Sequence, residues 1–194
     1  MVPMNSSFKP SVEPTALFTA FLAALSNDPD ALRAWERNGW TPTKWTQVVT
    51  RASVQAVAST FRNGQSASHH IAAKGSPDIY GQREYFGLDV VVYRDDWSAP
   101  VLTVELENGP GPDIQYACWK LLCVDAVVRV LICYVDPARE YEQYPIDLEA
   151  LRRLLSEVMQ AHPRKTIALF IGSWAGDPRG PDGWREVYSL GSLP

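Results

Sequence analysis

YFGLDVVVYRDDWSAPVLTVELE, Tyr85 to Glu107, is the stretch that decides the fold. Two runs in it, Tyr85 to Tyr93 and Val101 to Glu107, are rich in β-branched and aromatic residues and read as strands. The segment between them, Arg94 to Pro100, has the length of a hairpin loop, so the strands are expected to be antiparallel neighbours. Side chains alternate between faces along a strand. Glu105 and Glu107 therefore share a face with Val101 and Thr103, while Leu102, Val104 and Leu106 take the other. Asp89 falls with Val91 and Tyr93, opposite Leu88, Val90 and Val92. Pairing the apolar faces puts Asp89, Glu105 and Glu107 on one side of the sheet. Three adjacent carboxylates repel unless a cation lies among them. A hard divalent ion such as magnesium, or manganese, suits such oxygen ligands and can activate water against phosphorus.

Outward from the hairpin, apolar spacing predicts a helix from Glu13 through Leu25 and a short one from Ala31 to Arg37. A third is expected from a Thr43 cap, with Trp45, Val48, Val49, Ala52, Val57 and Phe61 inward, ending at Asn63-Gly64. Ser66 to Ile71 reads as a short strand and Gly75 to Asp78 as a turn. Beyond the hairpin, Asp113 is the expected cap of a helix whose stripe is Ile114, Ala117, Cys118, Leu121 and Leu122. The unbroken apolar run Val127 to Val135 suits a strand buried on both faces. A helix over Leu148 to Met159, a strand over Thr166 to Ile171 and an edge strand over Trp184 to Leu190 complete the order. The expectation is an α/β fold with a mixed central sheet flanked by helices: a tail over residues 1–12 and one domain over 13–194.

The 194 residues are 46% hydrophobic and 21% charged, a globular composition able to build one core. No apolar run has the length of a membrane span, and the opening MVPMNSSFKP lacks the pattern of a signal peptide. A cytoplasmic location is the expectation. Cys118, Cys123 and Cys133 all lie in apolar segments and are expected as buried free thiols. Without a Cys-x-x-Cys pair or a nearby histidine they do not suggest zinc. The net charge of −4 gives no global attraction to nucleic acid, so any nucleic-acid reading rests on the site.

Asp89, fifteen intervening residues and Glu105-Leu106-Glu107 resemble the motif of the PD-(D/E)xK nuclease superfamily. The resemblance runs roughly from Thr43 to Val135 and includes the order helix, three strands, helix, strand. It implies a restriction endonuclease-like core, magnesium, and hydrolysis of DNA phosphodiester bonds. Asp89 and Glu105 would be metal ligands. Where the motif has lysine this chain has Glu107, as a minority of restriction enzymes do, so Glu107 would be a third ligand or the base that positions water. Other branches carry the lysine on the following helix, which brings in Lys120. The segment Trp119-Lys120-Leu121-Leu122 after Glu107-Asn108 is similar to bacterial members of the group. The glutamate of the family's first core helix has no counterpart; Gln55 is the nearest residue. By analogy, cutting both strands of a duplex points to a homodimer.

Other readings stand beside this one. Glu105 and Glu107 also fit a solvated strand face, and Lys120 a surface lysine. The Trp35, Trp40 and Trp45 group fits core packing better than base stacking. Arg152, Arg153, Arg164 and Lys165 fit phosphate contacts or a wet helix face equally. His69, His70 and His162 carry no assigned chemistry. The missing lysine favours a catalytically inactive binding or regulatory module as the alternative function, and other phosphate esters remain as substrates.

Overall fold

Strand pairing begins where the hairpin was expected. In the computed structural model the described residues are 12–31, 33, 42–64, 69–73, 87–94, 100–109, 111–135, 148–162, 164–173 and 183–187. They form helices α1 (Pro14–Ser26), α2 (Pro42–Gly64), α3 (Gly111–Cys123) and α4 (Leu148–Gln160). The strands are β1 (His69–Ala73), β2 (Val90–Arg94), β3 (Pro100–Glu107), β4 (Val128–Val135), β5 (Ala168–Ser173) and β6 (Trp184–Val187). They make one mixed open sheet in sequence order. β1, β2 and β3 are antiparallel neighbours, β3, β4 and β5 run parallel, and β6 returns antiparallel.

Parallel neighbours need a crossover, and α3 and α4 supply the two. Successive crossovers of one hand moving one way across a sheet put their helices on one face. Accordingly α3 and α4 pack on the face that carries Val91, Leu131, Cys133, Leu169 and Ile171. α1 and α2 cover the other, against Val92, Leu102, Val104, Ile132 and Phe170. β4 is thus buried on both faces, as its apolar run required.

Four details depart from the alternation read from sequence. Asp89 lies in a bend before β2 rather than within the strand, so Leu88 joins the α3–α4 core instead of following Val90 and Val92. A register irregularity pairs Tyr93 with Pro100 and leaves Val101 as an extra residue; Val101 packs on the α1–α2 side with Leu102. Thr43 and Asp113 fall inside the first turns of α2 and α3, not at their caps. Cys118 and Cys133 are buried thiols, but Cys123, at the end of α3, is exposed. The expected helix over Ala31 to Arg37, the turn Gly75 to Asp78, and Trp35 and Trp40 lie wholly or largely outside the described residues.

Trp45 is core: its indole Nε1 donates to the buried Tyr134 hydroxyl at 2.7 Å. Tyr134 also meets Trp184 edge-on, with centroids 5.3 Å apart. Gly172 makes room for these rings, since a Cβ there would sit 2.6 Å from the Tyr134 ring. Gly172→Ala should cost about 1–3 kcal/mol by overpacking, read as a lower urea midpoint at unchanged slope. An unchanged midpoint would show that the rings yield freely.

The C-terminal end of α3 is tied down by two cations. Buried Arg129 donates to Leu121 O at 3.0 Å and to Val124 O at 2.8 Å, and the Lys165 ammonium donates to Leu122 O. These contacts satisfy carbonyls that a helix end leaves open and complement its dipole. Lys165 is therefore committed to the fold. Arg129→Met should cost about 2–3 kcal/mol by chemical denaturation, because it strands buried carbonyls. A loss within error of zero would show that water replaces the guanidinium.

Candidate metal and phosphate site

The β2–β3 register pairs Val90 with Val104, and one further step brings Asp89 across from Glu105. Neither carboxylate is on a wet face. α3 lies over them, leaving Asp89 6% and Glu105 3% exposed. The solvated-face reading therefore does not hold for Glu105.

Each acid has a defined attachment. Asp89 Oδ2 accepts the backbone N–H of Leu106 at 2.7 Å, which locks the bend before β2 onto β3. Glu105 Oε1 accepts from the Lys120 ammonium, which also donates to Gly87 O at 3.1 Å. Gly87 has φ of 67°, a left-handed conformation that favours glycine and aims its carbonyl at the lysine. Lys120 lies on the flank of the α3 stripe, which gives its long side chain a path to the strand.

Glu105 Oε2 is buried with no hydrogen-bond partner, and so is Thr103 Oγ1 two residues earlier on the strand. Burial, and then the nearby Asp89 charge, push the Glu105 carboxyl up to about 7, against the pull of Lys120. The unfolded value is 4.5. Between these values the folded chain binds the extra proton, so this group's stabilising contribution is full below the lower value and is lost as pH rises through the upper one. The loss amounts to roughly 3 kcal/mol. In EDTA, Glu105→Gln should therefore melt close to wild type at pH 5 and above it at pH 8. A gap that does not change with pH would contradict a buried, proton-hungry Glu105.

Glu107 does not join this pair. Its Oε1 accepts the Gly109 backbone N–H at 2.6 Å, closing the turn into α3. A Cβ on Gly109 would lie 2.8 Å from that oxygen and 2.5 Å from Asp113 Oδ2, so a side chain there would displace both carboxylates. Among the described residues no three His, Cys, Asp or Glu side chains are grouped to hold one ion. The donor set that fits magnesium is the pair Asp89 and Glu105, with the unpartnered Glu105 Oε2 as its clearest open ligand atom. One or two carboxylates are what magnesium commonly takes from a protein.

Gln55 is exposed on α2 and makes no part of this arrangement. From α2, Thr46 reaches the end of β3: its hydroxyl accepts from Asn108 Nδ2 at 3.3 Å. The roles of Gly87, the Leu106 N–H and Thr46 were not legible in sequence. Backbone donors carry no residue signature, and Thr46 is one of several polar residues on its helix. Cys118, raised to about 12 by burial, and Cys133, raised further, are inert thiols beside the site. No helix among the described residues is long and apolar enough to cross a membrane. No family model matches this chain, and no curated protein or solved structure matches it either.

Proposed function

We propose that this chain is a divalent-metal-dependent phosphodiester hydrolase acting on DNA, built on a restriction endonuclease-like core. The observation that carries the reading is the Glu105 carboxylate: it is buried between Asp89 and Lys120, with one oxygen paired to the lysine and the other unpartnered. A buried carboxylate oxygen left unpartnered beside the charge of a second acid favours a shared cation. Asp89 and Glu105 would hold the ion. Bound magnesium would supply Lewis acidity towards a phosphoryl oxygen and lower the pKa of a water. The Leu106 N–H fixes Asp89 in orientation, so little rearrangement is needed on binding. Lys120, tethered by Gly87 O, keeps an ammonium beside Glu105 where charge on phosphate would develop. Glu107 holds the turn that starts α3 and so sets where Lys120 stands.

The Lys120–Glu105 pair also supports a second reading, an inactive module in which the pair is purely structural. Incubation with supercoiled and single-stranded circular DNA, with magnesium or manganese, separates the two. Nicking that EDTA stops is expected. No cleavage of either DNA, with no calorimetric manganese binding at millimolar concentration, would favour the module.

A further inference from the structure

Tyr116 and Trp119 are 59% and 52% exposed, the two exposed large aromatic side chains among the described residues. They lie one turn apart on α3, outside the stripe that faces the sheet. Their rings are stacked, 20° apart with centroids 5.8 Å apart, and both stay more than half exposed. The Lys120 ammonium lies 5.5 Å from the Tyr116 centroid while it pairs with Glu105. One ammonium thus joins the aromatic pair to the buried carboxylate.

We propose that Tyr116 and Trp119 form a stacking platform for an unpaired base of the strand that occupies the site beside Glu105. The inference rests on the nucleic-acid reading of that site and adds a preference for single-stranded or locally opened substrate. Charge favours this mode over backbone grip. The chain has a net charge of −4, and Arg51, Arg129 and Lys165 are engaged with carboxylates or carbonyls of the protein itself. With no net positive charge to attract a strand globally, affinity at this face must come from another source. Aromatic faces supply it for any base whose own face is free, and a duplex interior offers none. Tyr116 and Trp119 are positioning residues in this scheme, not catalytic ones.

The test measures binding of the full chain in EDTA, by fluorescence anisotropy, to a labelled oligothymidine and to a duplex of equal length. Wild type should bind the single strand more tightly. Trp119→Ala and Tyr116→Ala should each weaken single-strand binding about tenfold and leave duplex binding unchanged. Both variants change exposed residues, and circular dichroism melting confirms their folding. Absent single-strand binding by wild type, unchanged affinity in both variants, or equal loss on both ligands would overturn the proposal. So would an altered oligomeric state in Trp119→Ala with affinity intact, which would assign the patch to self-association. Because no cleavage is measured, stacking can fail while Asp89→Asn still abolishes hydrolysis, and hydrolysis can fail while stacking stands.

Discussion

Asp89→Asn should abolish metal-dependent DNA cleavage, by more than about 100-fold, while the protein melts within a few degrees of wild type. The magnitude follows because substituting even outer partners of a metal ligand typically costs about 10- to 100-fold. The choice of asparagine follows from the structure. Asp89 Oδ2 accepts the Leu106 N–H, deep between β2 and β3. An amide oxygen can keep that bond while the negative charge goes. Asp89→Ala would instead orphan a buried N–H at a cost of about 1–3 kcal/mol, and lost activity would then be mixed with lost stability. Manganese calorimetry gives a readout independent of turnover, and the variant should show no binding. Undiminished cleavage by Asp89→Asn would remove Asp89 from the site.

Lys120→Met should be the most destabilising single change at the site, and its cost should depend on pH. Above pH 7 it leaves a buried carboxylate without its cation, a loss of about 3–5 kcal/mol. Near pH 5 the carboxyl, already pushed up to about 7 and raised further without Lys120, is neutral, and most of the cost disappears. Urea unfolding at the two pH values measures the difference. Adding Glu105→Gln to Lys120→Met should restore most of the stability at pH 8, since the uncompensated charge is gone. The double variant then addresses function as well. If the pair is only structural, the restored protein keeps whatever ligand binding wild type has. If Glu105 holds an ion, the restored protein binds no manganese and does not cleave. Equal destabilisation at both pH values would show that the lysine contributes packing rather than charge.

The two halves of the site are encoded differently. Glu105 was readable because a strand has period two and an apolar alternation fixes which positions share a face; Asp89, one residue before β2, reaches it through the bond to the Leu106 N–H. That rule holds only within the hydrogen-bonded ladder. It failed at Leu88, which precedes β2, and at Val101, where the Tyr93–Pro100 pairing inserts an extra residue. Glu107 shares the parity of Glu105, yet the strand ends there, and the Gly109 N–H at 2.6 Å takes its carboxylate into the turn. Parity says which side a residue faces and nothing about what waits for it at the strand's end.

The sequence by itself determined the elements: an α3 stripe at helical spacing, a β4 run apolar enough for burial on both faces, a hairpin with acids in register, and Lys120 on the flank of its helix. Local spacing carries all of these. Tertiary structure alone decided that α3 would roof the acidic face rather than leave it in water. That placement depends on two parallel crossovers laying α3 and α4 on one side, and on Arg129 and Lys165 gripping the end of α3. Burial, a property of the assembled layers and not of any residue, turns Glu105 from an ordinary surface carboxylate into a proton- and cation-seeking group. The same packing left Tyr116 and Trp119 outside, one lysine away from it.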